Sequence, residues 1–195
     1  MLNDLSSPLA FLATRRSGKP RDMVAPGPDA AQLARILEIA ARTPDHGKLF
    51  PWRFVIVEDR TAFATMLIDA YRSERPEAKR LEIESIEQFA HQAPTLVIVL
   101  SSPRTQSHIP LWEQELSAGA VCQNLVSAVT ASGFVAGWLT GWATYSDVVR
   151  DALGAAPEKI AGFVFIGTPS RDLDERPRPE MDTLIATWPP KPSTR

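Results

Sequence analysis

Apolar residues at Leu33, Ile36, Leu37, Ala40 and Ala41 follow the i, i+3, i+4, i+7, i+8 spacing that lines one face of an α-helix. The spacing predicts a helix over 28–43, opened by Pro28 and Asp29. The period then changes. "FVIVED" (54–59) is a short run with β-branched residues, bounded by charges, and predicts a strand. "TLVIVLSS" (95–102) is continuous and apolar enough for a strand buried on both faces. Two helices are predicted between these strands, over about 60–72 and 77–91, with Pro76 separating them. The second, "EAKRLEIESIEQFAHQ", is charged enough to be solvated on most faces.

A long helix is predicted over 110–133, "PLWEQELSAGAVCQNLVSAVTASG", with apolar residues at 111, 118, 122, 125, 126 and 129. Its small residues, Ser117 to Ala120, suit close packing against another backbone. A strand "FVAGWLTG" (134–141), a short helix near 145–153 and a strand "IAGFVFIG" (160–167) follow. A short helix near 6–15 opens the chain and stops at Gly18 and Pro20. From about 170 the chain becomes proline-rich and is expected to be extended, with one apolar stretch, "DTLIATW" (182–188), able to dock or to reach a partner subunit. The last residues are expected to be disordered. Helices outnumber strands without strict alternation, which predicts an α+β fold with a small central mixed sheet flanked by helices.

Composition narrows this picture without altering it. At 195 residues, 44% hydrophobic and 23% charged, the chain suits one domain spanning 1–195 with its extended tail. A net charge of −2 gives no global field for nucleic acid or an anionic membrane, so neither partner is expected. No apolar run approaches the roughly 18 residues of a spanning helix. Early acid followed by a short apolar patch and then arginines reverses the order of a signal peptide. The lone Cys122 excludes an intrachain disulfide framework, and a cytoplasmic location is expected.

Candidate chemistry is sparse. His46, His91 and His108 lie far apart with no metal-ligand spacing, so no metal site is expected. There is no G-x-S-x-G elbow and no Walker loop, and Cys122 sits mid-helix among apolar neighbours as an inert thiol would. "RRS" (Arg15, Arg16, Ser17) offers two guanidinium forks and a hydroxyl suited to a phosphate, and equally suits a helix C-terminus complementing its dipole. "RTPDHGKLFPWRF" (42–54) places Arg42 and His46 on a proline-stiffened loop, where His46 could also serve as a turn cap. "GWLTG" (137–141) reads equally as a strand ending in a tight turn.

Taken in order, "RRS", "ILEIAARTPDHGKLFPWRFVIV", "LWEQELSAGAVCQNLVSAV", "GFVAGWLTG" and "IAGFVFIGTP" resemble the FMN-dependent nitroreductase family, in its small single-domain branch, over about residues 10–190. The resemblance implies a homodimer with FMN at the subunit interface. Arg15, Arg16 and Ser17 would hold the phosphate and ribityl chain, and Arg42 and His46 would reach the flavin from the other subunit. Trp138, Leu139 and Thr140 would line the isoalloxazine, with only a backbone contact from Leu139, where some relatives carry a cation. Arg176 or Arg178 would supply a further cation to the phosphate. The implied activity is ping-pong hydride transfer from NADH or NADPH through flavin N5 to a small-molecule acceptor such as a nitroaromatic or quinone, with no catalytic protein residue. Dehalogenation, dehydrogenation or flavin cleavage on the same fold, and a non-catalytic flavin-binding dimer, are the alternatives.

Overall fold

The computed structural model describes residues 1–189. The helical periodicities hold. Helix α1 covers Pro8–Thr14, α2 Ala30–Ala40, α3 Arg60–Glu74, α4 Arg80–His91 and α5 Leu111–Ala131. Two short helices, α6 (Trp142–Tyr145) and α7 (Asp147–Leu153), occupy the single segment expected near 145–153. Side chains set the starts. Asp29 and Gln32 form a reciprocal capping box at α2, while Asp59 and Ser146 accept the backbone N–H of Ala62 and Val149.

The strands are β1 (Met23–Val24), β2 (Trp52–Ile56), β3 (Thr95–Ser101), β4 (Val135–Leu139) and β5 (Lys159–Pro169). β1 was not legible in the sequence because two residues carry no period. β5 is the hub: β3 pairs with it along most of its length, β4 and β1 pair with it too, and β2 completes the sheet beyond β3. The α+β class and the flanking helices stand as expected. Strand direction is more restricted than the expected mixed sheet, since each pairing among the described residues is antiparallel. A continuous apolar run reports two covered faces; direction is decided by the connections.

Both faces are indeed covered. Leu96, Ile98, Leu100, Phe163 and Phe165 face α3, α4 and α7 through Phe63, Leu67, Ala90 and Val149. Val97, Val99, Val164 and Ile166 face α2 and α5 through Ile36, Ala40, Val121 and Leu125. Each fully buried Leu, Ile, Val or Phe contributes about 1.5–3 kcal/mol to folding before entropy is counted. The tail's apolar stretch does not dock on its own chain: Leu184, Ile185 and Trp188 are exposed, Trp188 by 89%. The very last residues, expected to be disordered, lie outside the described residues. Within the described residues no helix is long and apolar enough to cross a membrane.

One ion pair ties the edge to the hub. Arg53 of β2 donates to both carboxylate oxygens of Glu158, at 3.0 and 2.9 Å, and to the Leu153 carbonyl at 3.0 Å. These bonds, with help from the Ser102 hydroxyl and the Ala155 N–H, hold the Glu158 carboxyl down at about 2 despite its partial burial. A depressed carboxylate stabilises the fold above its unfolded value, near 4.5, and that contribution disappears as pH falls through about 2. Urea unfolding at pH 7 and pH 3 is expected to show wild type losing about 1–2 kcal/mol more than Glu158→Gln, a figure reduced because Arg53 is half exposed. Equal losses in both proteins would exclude this pair as an acid-sensitive link.

Candidate functional site

The "RRS" segment is fixed by backbone contacts. α1 ends at Thr14, and Asn3 clamps the next turn, accepting from the Arg16 N–H at 2.6 Å and donating to the Arg16 carbonyl at 3.2 Å. Sequence reasoning missed Asn3, because no local pattern links it to a residue thirteen positions on. Gly18 N–H then donates to the Ala136 carbonyl of β4 at 3.0 Å. This laces "RRS" against the strand that leads to Trp138, so two motifs distant in sequence share one sheet edge.

The arginines there differ in what they touch. Arg16, whose side chain is 17% exposed, donates through Nε to the Asp174 carbonyl at 2.8 Å and lies 3.6 Å from the Glu175 carboxylate. Lys19 pairs with Asp174 at 3.0 Å and Arg178 with Glu175 at 2.9 Å. Arg15 donates only to the Ser17 hydroxyl, at 3.2 Å, and has no carboxylate partner among the described residues. Burial lowers its affinity for the proton, and so do the neighbouring charges of Arg16, Arg178 and Arg176. Glu175 thus links Arg178 to Arg16, and Arg176 adds its positive charge to the same neighbourhood. A cluster of forked donors that outnumbers its acids fits a phosphate monoester.

At the end of β4, Trp138 is 39% exposed on the sheet edge and Thr140 is exposed beyond it. Leu139 turns the other way and packs against the core beside Phe163, so its backbone alone faces outward. The Arg15–Ser17 and Trp138–Thr140 elements thus flank one edge and present guanidinium groups, an indole and strand-edge backbone together. That set suits a planar ring carrying an anionic tail.

Arg42 and His46 lie elsewhere. Asp45 ties their loop by accepting from the Leu49 N–H at 2.5 Å and the Phe50 N–H at 3.2 Å, while Thr43 is buried with its hydroxyl on the Ala40 carbonyl. Lys48 and Phe50 are held in the left-handed region, at φ 56° and 49°, strain that the surrounding contacts must support. His46 Nδ1 is 2.8 Å from Glu113 in the first turn of α5, and its ring is largely exposed. This loop enters β2, at the far edge from β4, and pairs Trp52 with Ser101 and so with Lys159. Val135, beside Arg16, pairs instead with Gly167. The span of β5 between Lys159 and Gly167 is on the order of 25 Å at ~3.3 Å per residue. One chain does not bring Arg42 and His46 to the "RRS" edge.

Other chemistry is sparse. Cys122 is fully buried, and desolvation pushes its thiol up to about 12, far from a reactive thiolate. Among the described residues no group of three His, Cys, Asp or Glu converges to hold a metal.

Comparison with known proteins accords with this geometry. The sequence matches the Nitroreductase family over residues 12–168. It is 36% identical over 165 residues to a Haemophilus influenzae protein named "Putative NAD(P)H nitroreductase", covering 82% of this chain and 87% of that protein. A nitroreductase-like family protein from Bacillus cereus superposes with a TM-score of 0.78 over 94% of this chain and 97% of its own, at 19% identity. A variant of the FMN and NADPH-dependent nitroreductase NfnB superposes with a TM-score of 0.69 at 22% identity, over 91% of this chain and 97% of its own. The fold is nitroreductase-like, an α+β sheet with helices on both faces. The chain belongs to the nitroreductase family.

Proposed function

We propose that the protein is an FMN-dependent NAD(P)H oxidoreductase of the nitroreductase type, acting as a homodimer on a small-molecule acceptor such as a nitroaromatic or quinone. The observation that carries this reading is Arg15, partly buried, without a carboxylate partner among the described residues, and close enough to Arg16, Arg176 and Arg178 to feel their charges, at the edge leading to Trp138. Arg15, Arg16 and Ser17 hold the phosphate, aided by Arg176 or by Arg178 once Glu175 releases it. Trp138, Leu139 and Thr140 present strand-edge backbone and an indole to the ring. When bound, FMN supplies the hydride relay, taking reducing equivalents from NADH or NADPH and passing them to the acceptor.

The dimer is part of the same reading. Arg42 and His46 are remote from the "RRS" edge of their own chain, so they complete a site only by reaching a second copy. Apolar surface accords with this: Leu9 and Leu12 of α1, Leu111, Trp112 and Leu116 of α5, and the tail's Leu184, Ile185 and Trp188 are all exposed. The chain reads as one domain, since both cores among the described residues share one sheet. A cytoplasmic location accords with a chain that needs no disulfide.

The test is an anaerobic titration of the FMN-loaded protein with NADH and, separately, NADPH. Bleaching of the flavin band near ~450 nm by either nucleotide is expected. Bound flavin that neither nucleotide reduces would reject the oxidoreductase reading, and failure to take up FMN would reject the cofactor.

A further inference from the structure

β5 carries one residue more than β3 can pair. Val99 pairs with Gly162 and Leu100 with Ile160, so Ala161 is the extra residue of a β-bulge. A bulge disrupts the ladder locally and leaves its extra residue in need of other partners. The Ala161 carbonyl finds one in the Trp138 indole, which donates through Nε1 at 3.1 Å. Trp138 sits opposite Val164 in the β4–β5 pairing, so its side chain reaches Gly162 by one diagonal step on the same face.

Gly162 is there for space. Its φ is outside the left-handed region, so no backbone strain demands glycine. A Cβ at position 162 would instead lie 1.9 Å from Trp138 Nε1 and 2.3 Å from its Cδ1, inside the indole. The indole therefore occupies space that only a missing side chain provides. On the opposite face Leu139 packs into the core beside Phe163. The last two residues of β4 are thus held from both faces.

We propose that Gly162 is a positioning residue for the flavin site, an inference that rests on the cofactor reading above. By leaving room for the indole over the bulge, it holds the Trp138–Thr140 main chain in line along the β4 edge. It also fixes where the indole sits relative to the ring that Trp138–Thr140 would line. Gly162 touches no ligand itself; it acts through Trp138. Displacing the indole moves both it and the binding edge, and misplacements of about 1 Å at a site can cost orders of magnitude in function.

The experiment is FMN titration of folded wild type, Gly162→Ala, Trp138→Ala and the double variant, with the reduction potential of the bound flavin measured alongside. Gly162→Ala is expected to weaken FMN binding roughly tenfold or more and to shift the potential, while adding little in the Trp138→Ala background. Equal losses in both backgrounds, or wild-type affinity and potential in Gly162→Ala, would overturn the proposal. Should Gly162→Ala fail to fold, Trp138→Phe replaces it. That variant keeps an aromatic ring but loses the donor to Ala161 together with the part of the indole over Gly162, and unchanged FMN affinity and potential would overturn the proposal as surely. Wild type that takes up no FMN would mean that the cofactor reading failed. Wild type that binds while the variants match it would mean that the positioning role alone failed.

Discussion

Arg16→Ala is expected to weaken FMN binding by about 1.5–3 kcal/mol, roughly ten- to hundredfold, the scale for losing a charge-assisted hydrogen bond. The structure makes the side chain's role more specific than a simple phosphate contact. Arg16 is the most enclosed member of its ion-pair network, and it also anchors the tail through the Asp174 carbonyl and Glu175. Its removal should therefore free residues 174–178 as well as delete a donor, moving Arg176 and Arg178 away from Arg15. Arg16→Lys keeps the charge but not the fork, and it should recover only part of the affinity. Flavin titration by fluorescence decides the matter. Wild-type affinity in Arg16→Ala would exclude the phosphate role, and so would a loss fully accounted for by reduced apoprotein stability.

Gly137→Val is expected to produce the second large effect, this time through the backbone. A Cβ at position 137 would lie 2.7 Å from the Gly18 carbonyl oxygen and 3.3 Å from the Pro20 ring. The first of these neighbours is main chain, already fastened by the Gly18 N–H to the Ala136 carbonyl, so it has little freedom to retreat. Overpacking of this kind costs about 1–3 kcal/mol. The larger consequence is geometric: relief of the clash pushes the segment after "RRS" off β4, separating the guanidinium cluster from the Trp138–Thr140 edge. Equilibrium unfolding and FMN titration should therefore both report losses, with the loss of affinity persisting in whatever fraction remains folded. A variant that is destabilised yet binds FMN normally would mean that the two motifs need not stay laced together.

Much of this architecture was legible in one dimension. The α2 face of Leu33, Ile36 and Ala40 is a local consequence of a 3.6-residue period, and those residues are buried as the period requires. β3 was recognised as a doubly covered strand because every residue from Leu96 to Leu100 is apolar, and all are fully buried. Where the reading fell short, the signal was either too short or not local. β1 spans two residues, β2 starts earlier than its apolar run because Trp52 and Arg53 join the ladder, and the "DTLIATW" stretch found no docking place on its own chain.

The sequence by itself therefore determined which segments are helices and strands, which of them are core, and which cationic and aromatic motifs are available for chemistry. Those properties depend on side chains within a turn or two of one another. Only the tertiary structure decided which motifs meet. It set Gly18 against Ala136, linked Arg178 through Glu175 to Arg16, kept His46 at the far edge and laid Trp138 over Gly162. Each of these contacts joins residues far apart in the chain. What selects them is the direction and register of an antiparallel sheet, and register follows from the burial of whole faces at once rather than from any single run of residues.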